Sequence, residues 1–94
     1  MTAEPYGKSP VFDECNLPEA LRKNHQTKSG TWGLLRVLEG GVRLVFVDPP
    51  SERFVTADSP AQIPPQAAHY VVTDGPMKMQ VEFYREMPVL AGSP

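Results

Sequence analysis

The stretch "MKMQVEFYR" alternates without a break. Met77, Met79, Val81 and Phe83 fall on one side of an extended chain, and Lys78, Gln80, Glu82 and Tyr84 on the other. This is the period of a half-buried strand. Upstream, "TWGLLRVLEG" and "GVRLVFVD" are two apolar runs that meet at Gly40 and Gly41. A two-residue Gly-Gly loop pairs Glu39 with Val42, Leu38 with Arg43 and Arg36 with Val45. A loop at Glu39-Gly40 sets Arg36 opposite Arg43, which like-charge repulsion disfavours, and glycines tolerate the positive φ of tight hairpins. The Gly-Gly hairpin is therefore expected, with Leu35, Val37, Leu44 and Phe46 on one apolar face that needs a second sheet to cover it.

Shorter segments continue the pattern. "DPPSE" reads as a turn, "RFVTA" as a strand, "DSPAQ" as a turn, "QIPP" and "AHYVV" as strands, and "TDGP" as a turn. "PVFDE" reads as a short edge strand. "DECNLPEALRKN" holds the one helix signal, with Asn16 or Asp13 as cap and Pro18 in the first turn. Residues 1–9 read as a loose arm and 87–94 as a tail. The expectation is one all-β domain over residues 1–94, a small antiparallel β-barrel or jelly roll of about six to eight strands.

Composition supports this. Ninety-four residues suit a single domain. Eleven prolines and seven glycines leave little room for a long helix. A net charge of −2 gives no reason to expect nucleic acid or an anionic membrane as partner. No apolar run approaches the roughly 20 residues of a membrane span, the N-terminus does not read as a signal peptide, and one cysteine, Cys15, fits a reducing, cytoplasmic setting.

Three residues stand out chemically. The chain has two histidines, His25 before the hairpin and His69 after "IPPQAA". Glu82 lies on the polar face of the last strand, and a small barrel can turn such a face inward. Two imidazoles and a carboxylate suit a divalent transition metal, namely zinc, iron, nickel or manganese. The spacing is long, and the competing reading is two ordinarily hydrogen-bonded histidines and a solvated glutamate. Cys15 has no neighbouring base, Ser29, Ser51 and Ser59 lie in turns without nucleophile-elbow glycines, and "SGTWG" has no phosphate-loop lysine. Trp32, Met77 and Met79 are most simply packing residues.

The pieces "H-x-T-K-x-G-x-W-G" from His25, "RVLEGG", "IPPQAAHYV" and the closing "VEFYR" resemble the TehB/YeaR-like, or tellurite-resistance-associated, family of small cupin-like domains over about residues 5–86. In some members this domain is fused to a methyltransferase. The resemblance implies a cupin-like barrel with a two-part metal site. His69 matches the second-part histidine and His25 lies near the first-part ones. Thr27 stands where a second histidine would be, the usual glutamate position falls near Trp32 or Gly33, and Glu82 would supply the absent carboxylate. The resemblance thus implies metal ligands His25, His69 and Glu82, with a small acid or an oxyanion such as tellurite as ligand. A metal-free binding module and a regulatory domain beside a separate enzyme stay open, as does catalysis itself. Small cupins often pair, so a homodimer is expected, with "PVFDE" as the edge to be covered.

Overall fold

The computed structural model describes residues 4–23 and 25–88, with His25 described by its backbone alone. Among these residues, nine strands and one helical turn follow in the order β1 (Gly7–Lys8), β2 (Phe12–Asp13), α1 (Glu19–Arg22), β3 (His25–Gln26), β4 (Trp32–Glu39), β5 (Gly41–Val47), β6 (Pro50–Thr56), β7 (Ala61–Ile63), β8 (Ala68–Thr73) and β9 (Lys78–Tyr84). They form two antiparallel sheets. One runs β1-β9-β4-β7, with β2 also on β9; the other runs β3-β8-β5-β6. The all-β expectation holds, but two separate sheets face each other and no closed barrel forms among the described residues.

The expected hairpin is not there. β4 pairs with β7 and β9, whereas β5 pairs with β6 and β8. Gly40 and Gly41 carry the chain from one sheet to the other. Gly40 has a φ of +70°, and a Cβ at this position would run into the Pro76 carbonyl oxygen. The backbone here is too close to Pro76 for any side chain. The apolar face foreseen for these strands is correct, but its two halves meet across the sandwich. Leu35, Val37, Val42, Leu44, Val55, Val71, Met77 and Met79 form one core cluster, each contributing about 1.5–3 kcal/mol by burial. A register shift between Val37 and Glu39 leaves Leu38 out of this pattern, and it is 49% exposed.

Residues 6–9, part of the segment read from the sequence as a loose arm, are tied to β9. Tyr6 N–H donates to the Phe83 carbonyl, Gly7 and Lys8 pair with Phe83 and Glu82, and Phe12 and Asp13 pair with Met79 and Lys78. Pro10 interrupts the ladder because it has no N–H. Ser9 bridges the gap. Its N–H donates to the Val81 carbonyl and its hydroxyl accepts from the Val81 N–H at 3.0 Å. The helix signal shrinks to the single turn of α1, with Pro18 at its N-cap and no side-chain cap. Asp13 instead turns the chain before it, its Oδ1 accepting from the Cys15 and Asn16 N–H groups at 2.8 Å each.

Candidate functional site: a cavity between the sheets

Where the two sheets separate, they enclose a cavity of about 240 Å³. β4 and β9 provide Leu35, Met79 and Val81 as one wall; Val71 of β8 faces them, and Leu21 of α1 and Phe12 of β2 close one side. Gly33 helps to make the space. A Cβ there would sit 3.4 Å from Ile63 Cβ and 3.7 Å from Val81 Cγ1, in contact with the wall.

Ser9, Thr27 and His69 bring polar atoms to this apolar lining, and among the described residues no Lys, Arg, Asp or Glu side chain lines it. His69 is buried, at 5% exposure. Its Nδ1 lies 2.7 Å from the Ala67 carbonyl oxygen. A carbonyl only accepts, so Nδ1 carries the proton. The ring also tilts against Phe46, with centroids 6.2 Å apart. Thr27 Oγ1 is buried and has no hydrogen-bond partner. A buried hydroxyl left in that state costs about 1–3 kcal/mol.

The residues named from the sequence part company here. The backbones of His25 and His69 do meet, paired directly in register between β3 and β8. The His25 side chain lies outside the described residues. Glu82 belongs to the other sheet. Met79, Val81 and Phe83 line the cavity, so the alternation of β9 turns Glu82 to the outer face. There its Oε1 accepts from Arg36 Nε and from the Tyr84 hydroxyl, both at 2.8 Å. Burial alone pushes the Glu82 carboxyl up. The hydrogen bonds from Arg36 and Tyr84 and the charges of Arg36 and Lys8 outweigh burial and hold it below its ordinary value. Arg36 is pushed up, first by its bond to Glu82, against desolvation. Tyr84 is pushed up by burial and then by that same carboxylate. Leu34, fully buried on this outer face, pairs with Glu82 and Gln62, and Gln62 Nε2 donates to the Pro88 carbonyl. The segment after β9 thus folds back over the sheet.

A model of the TehB-like domain matches residues 7–81. The chain belongs to the TehB-like family. Two curated relatives from Haemophilus influenzae, strains KW20 and 10810, both bear the name "Probable S-adenosyl-L-methionine-dependent methyltransferase TehB". They are 37% and 35% identical to this TehB-like chain over 71 residues, covering 70% of it and 25% of each relative. The crystal structure of TehB from Haemophilus influenzae superposes with a TM-score of 0.78 at 30% identity, covering 88% of this chain and 31% of that one. A protein of E. coli K12 superposes with a TM-score of 0.77 at 19% identity, covering 88% and 90%, which is a likeness of fold. The TehB-like chain therefore spans about a quarter of the length of the curated relatives it matches.

The expectation of a metal-binding cupin is corrected by these findings. Among the described residues, no three His, Cys, Asp or Glu side chains come together to hold an ion. Glu82 is committed to Arg36 and Tyr84, on the face of the sheet away from His69. The cofactor in the relatives' name is S-adenosyl-L-methionine, not zinc, iron, nickel or manganese. The oxyanion reading loses its basis as well, because among the described residues no Lys or Arg side chain lines the cavity. Sequence reasoning noted Thr27 as the place of an absent histidine. The signal it missed is that Thr27, on the connection from β3 to the apolar β4, brings a hydroxyl into the sandwich.

Proposed function

We propose that this chain is a metal-free small-molecule-binding module that works beside an S-adenosyl-L-methionine-dependent methyltransferase. The observation that carries the reading is the apolar cavity with its few polar atoms, the usual make-up of a small-ligand site. The match to one quarter of proteins named as methyltransferases supports the second half. S-adenosyl-L-methionine belongs to that partner activity. It is a large zwitterion with ribose hydroxyls and a sulfonium, and among the described residues the cavity offers it no Lys, Arg, Asp or Glu side chain.

A cytoplasmic setting and a homodimer belong to the same proposal. No helix among the described residues is long and apolar enough to cross a membrane. β1 and β2 form one open sheet edge and β6 another. Light scattering of a monomer at high micromolar concentration would remove the dimer.

Calorimetric titration of the chain with S-adenosyl-L-methionine should give no saturable heat. A ¹³C-methyl NMR screen of small apolar molecules should shift the methyl signals of Leu35, Val71 and Met79. A screen in which these signals never move, or in which S-adenosyl-L-methionine moves them, sinks the binding reading. In a full-length TehB whose matching segment is replaced by this chain, Gly33→Val should slow methyl transfer by occupying the cavity. An unchanged rate would remove the accessory role.

A further inference from the structure

We propose that the cavity selects a small neutral molecule with an apolar body and a single hydrogen-bonding group, held by Thr27 at the end nearest the mouth. The inference rests on the small-molecule reading above and specifies its ligand class.

Charge comes first. Among the described residues the lining holds no Lys, Arg, Asp or Glu side chain, and the Nδ1 of its one imidazole, His69, is already engaged by the Ala67 carbonyl. A carboxylate or ammonium brought inside would lose its hydration and meet no Lys, Arg, Asp or Glu side chain to offset it, which is far costlier than burying a neutral group. A neutral ligand is favoured on that ground alone.

Position comes second. Thr27 and Phe83 line this cavity and also a second depression beside it, whose other walls are Tyr6, Gln26, Lys28 and Thr31. The two residues therefore stand where the interior meets the surface. A hydrogen bond of 3.1 Å between the Tyr6 hydroxyl and Thr31 Oγ1 spans the second depression. The polar end of a ligand belongs at this boundary, and its apolar end among Leu35, Val71 and Met79 beyond it.

Hydrogen bonding comes third. Thr27 Oγ1 is buried without a partner, while the Thr27 backbone carbonyl accepts from the Gln66 N–H at 2.9 Å. The backbone is fixed and the hydroxyl is not, so the residue is anchored with one group to offer. A hydroxyl donates and accepts, so an alcohol, phenol or neutral carbonyl compound satisfies it. As for size, an apolar cavity of about 150 Å³ holds benzene, so about 240 Å³ takes a substituted ring or a compact branched chain.

The test uses three probes of one shape on the full chain: p-cresol, toluene and p-toluate. Affinities are read from the methyl shifts of the lining residues. p-Cresol should bind about 2- to 10-fold more tightly than toluene, the worth of one net hydrogen bond. p-Toluate should be weaker than p-cresol by 10-fold or more. In Thr27→Val the advantage of p-cresol over toluene should vanish while toluene binding is kept. Thr27→Ser, which keeps the hydroxyl, should retain the advantage and covers the case in which the valine variant does not fold. Equal or tighter binding of p-toluate, for example through Lys28 at the mouth, overturns the neutral class. A p-cresol advantage that survives Thr27→Val overturns the role of Thr27. If none of the three probes moves the lining methyls, the cavity reading itself falls, and this inference with it.

Discussion

At the scale of single residues, two buried polar groups have opposite fates. Thr27 Oγ1 has no partner, so Thr27→Val should stabilise the unliganded protein by about 1–3 kcal/mol, the cost of an unmet hydroxyl. In a domain of this size each kcal/mol moves Tm by about 4–8 °C; a lowered Tm would show that the hydroxyl is satisfied. Glu82, by contrast, is held twice. Its lowered pKa stabilises the fold above the ordinary carboxylate value, and that contribution is lost as pH falls through the folded-state value. Arg36→Ala should remove most of it. The Arg36 side chain is 39% exposed, so solvent screens the pair. The expected loss at neutral pH is about 1–2 kcal/mol, below the ~3–5 kcal/mol of a fully buried pair. Urea midpoints of the wild type and the variant should converge as pH falls below the folded-state value of Glu82, where the carboxyl is protonated in both. A gap that stays constant with pH would assign the loss to packing.

At the scale of elements, alternation made the strands legible and left their partners hidden. The faces of "MKMQVEFYR" are those observed, with Met77 and Met79 in the core and Lys78 exposed. Because the apolar face is the inner one, Glu82 had to point outward, and the idea of a polar face turned into a barrel failed on that residue. Gly40-Gly41 failed differently. A tight hairpin and a crossing between sheets both call for glycine, and what separates them lies far along the chain. The Pro76 carbonyl fills the place of a Cβ at Gly40, and Phe54 covers Gly41. Gly40→Ala should accordingly cost about 1–2 kcal/mol for the backbone conformation alone, and more for the collision. A denaturant midpoint equal to that of the wild type would contradict the close approach. For the site, His69 was visible as a polar residue entering an apolar strand. The cavity was not, because it is bounded by Gly33, Val71 and Leu21 from three separate elements.

At the scale of the molecule, the crossing at Gly40 means that neighbours in sequence are mostly not neighbours in a sheet. β4 finds its partners in β7 and β9, and β5 finds one of its two in β8. β9, the last strand in sequence among those described, lies between β4 and the N-terminal β1 and β2. On a ribosome, therefore, β1, β2 and one edge of β4 must wait with unmet backbone groups until Lys78–Tyr84 has emerged. A nascent chain halted after Gly75 should stay protease-sensitive and prone to aggregate, and release of β9 should confer resistance in one cooperative step. Folding of the first sheet is thus timed by β9: a premature stop shortly before Lys78 leaves that sheet without the strand that joins its two halves.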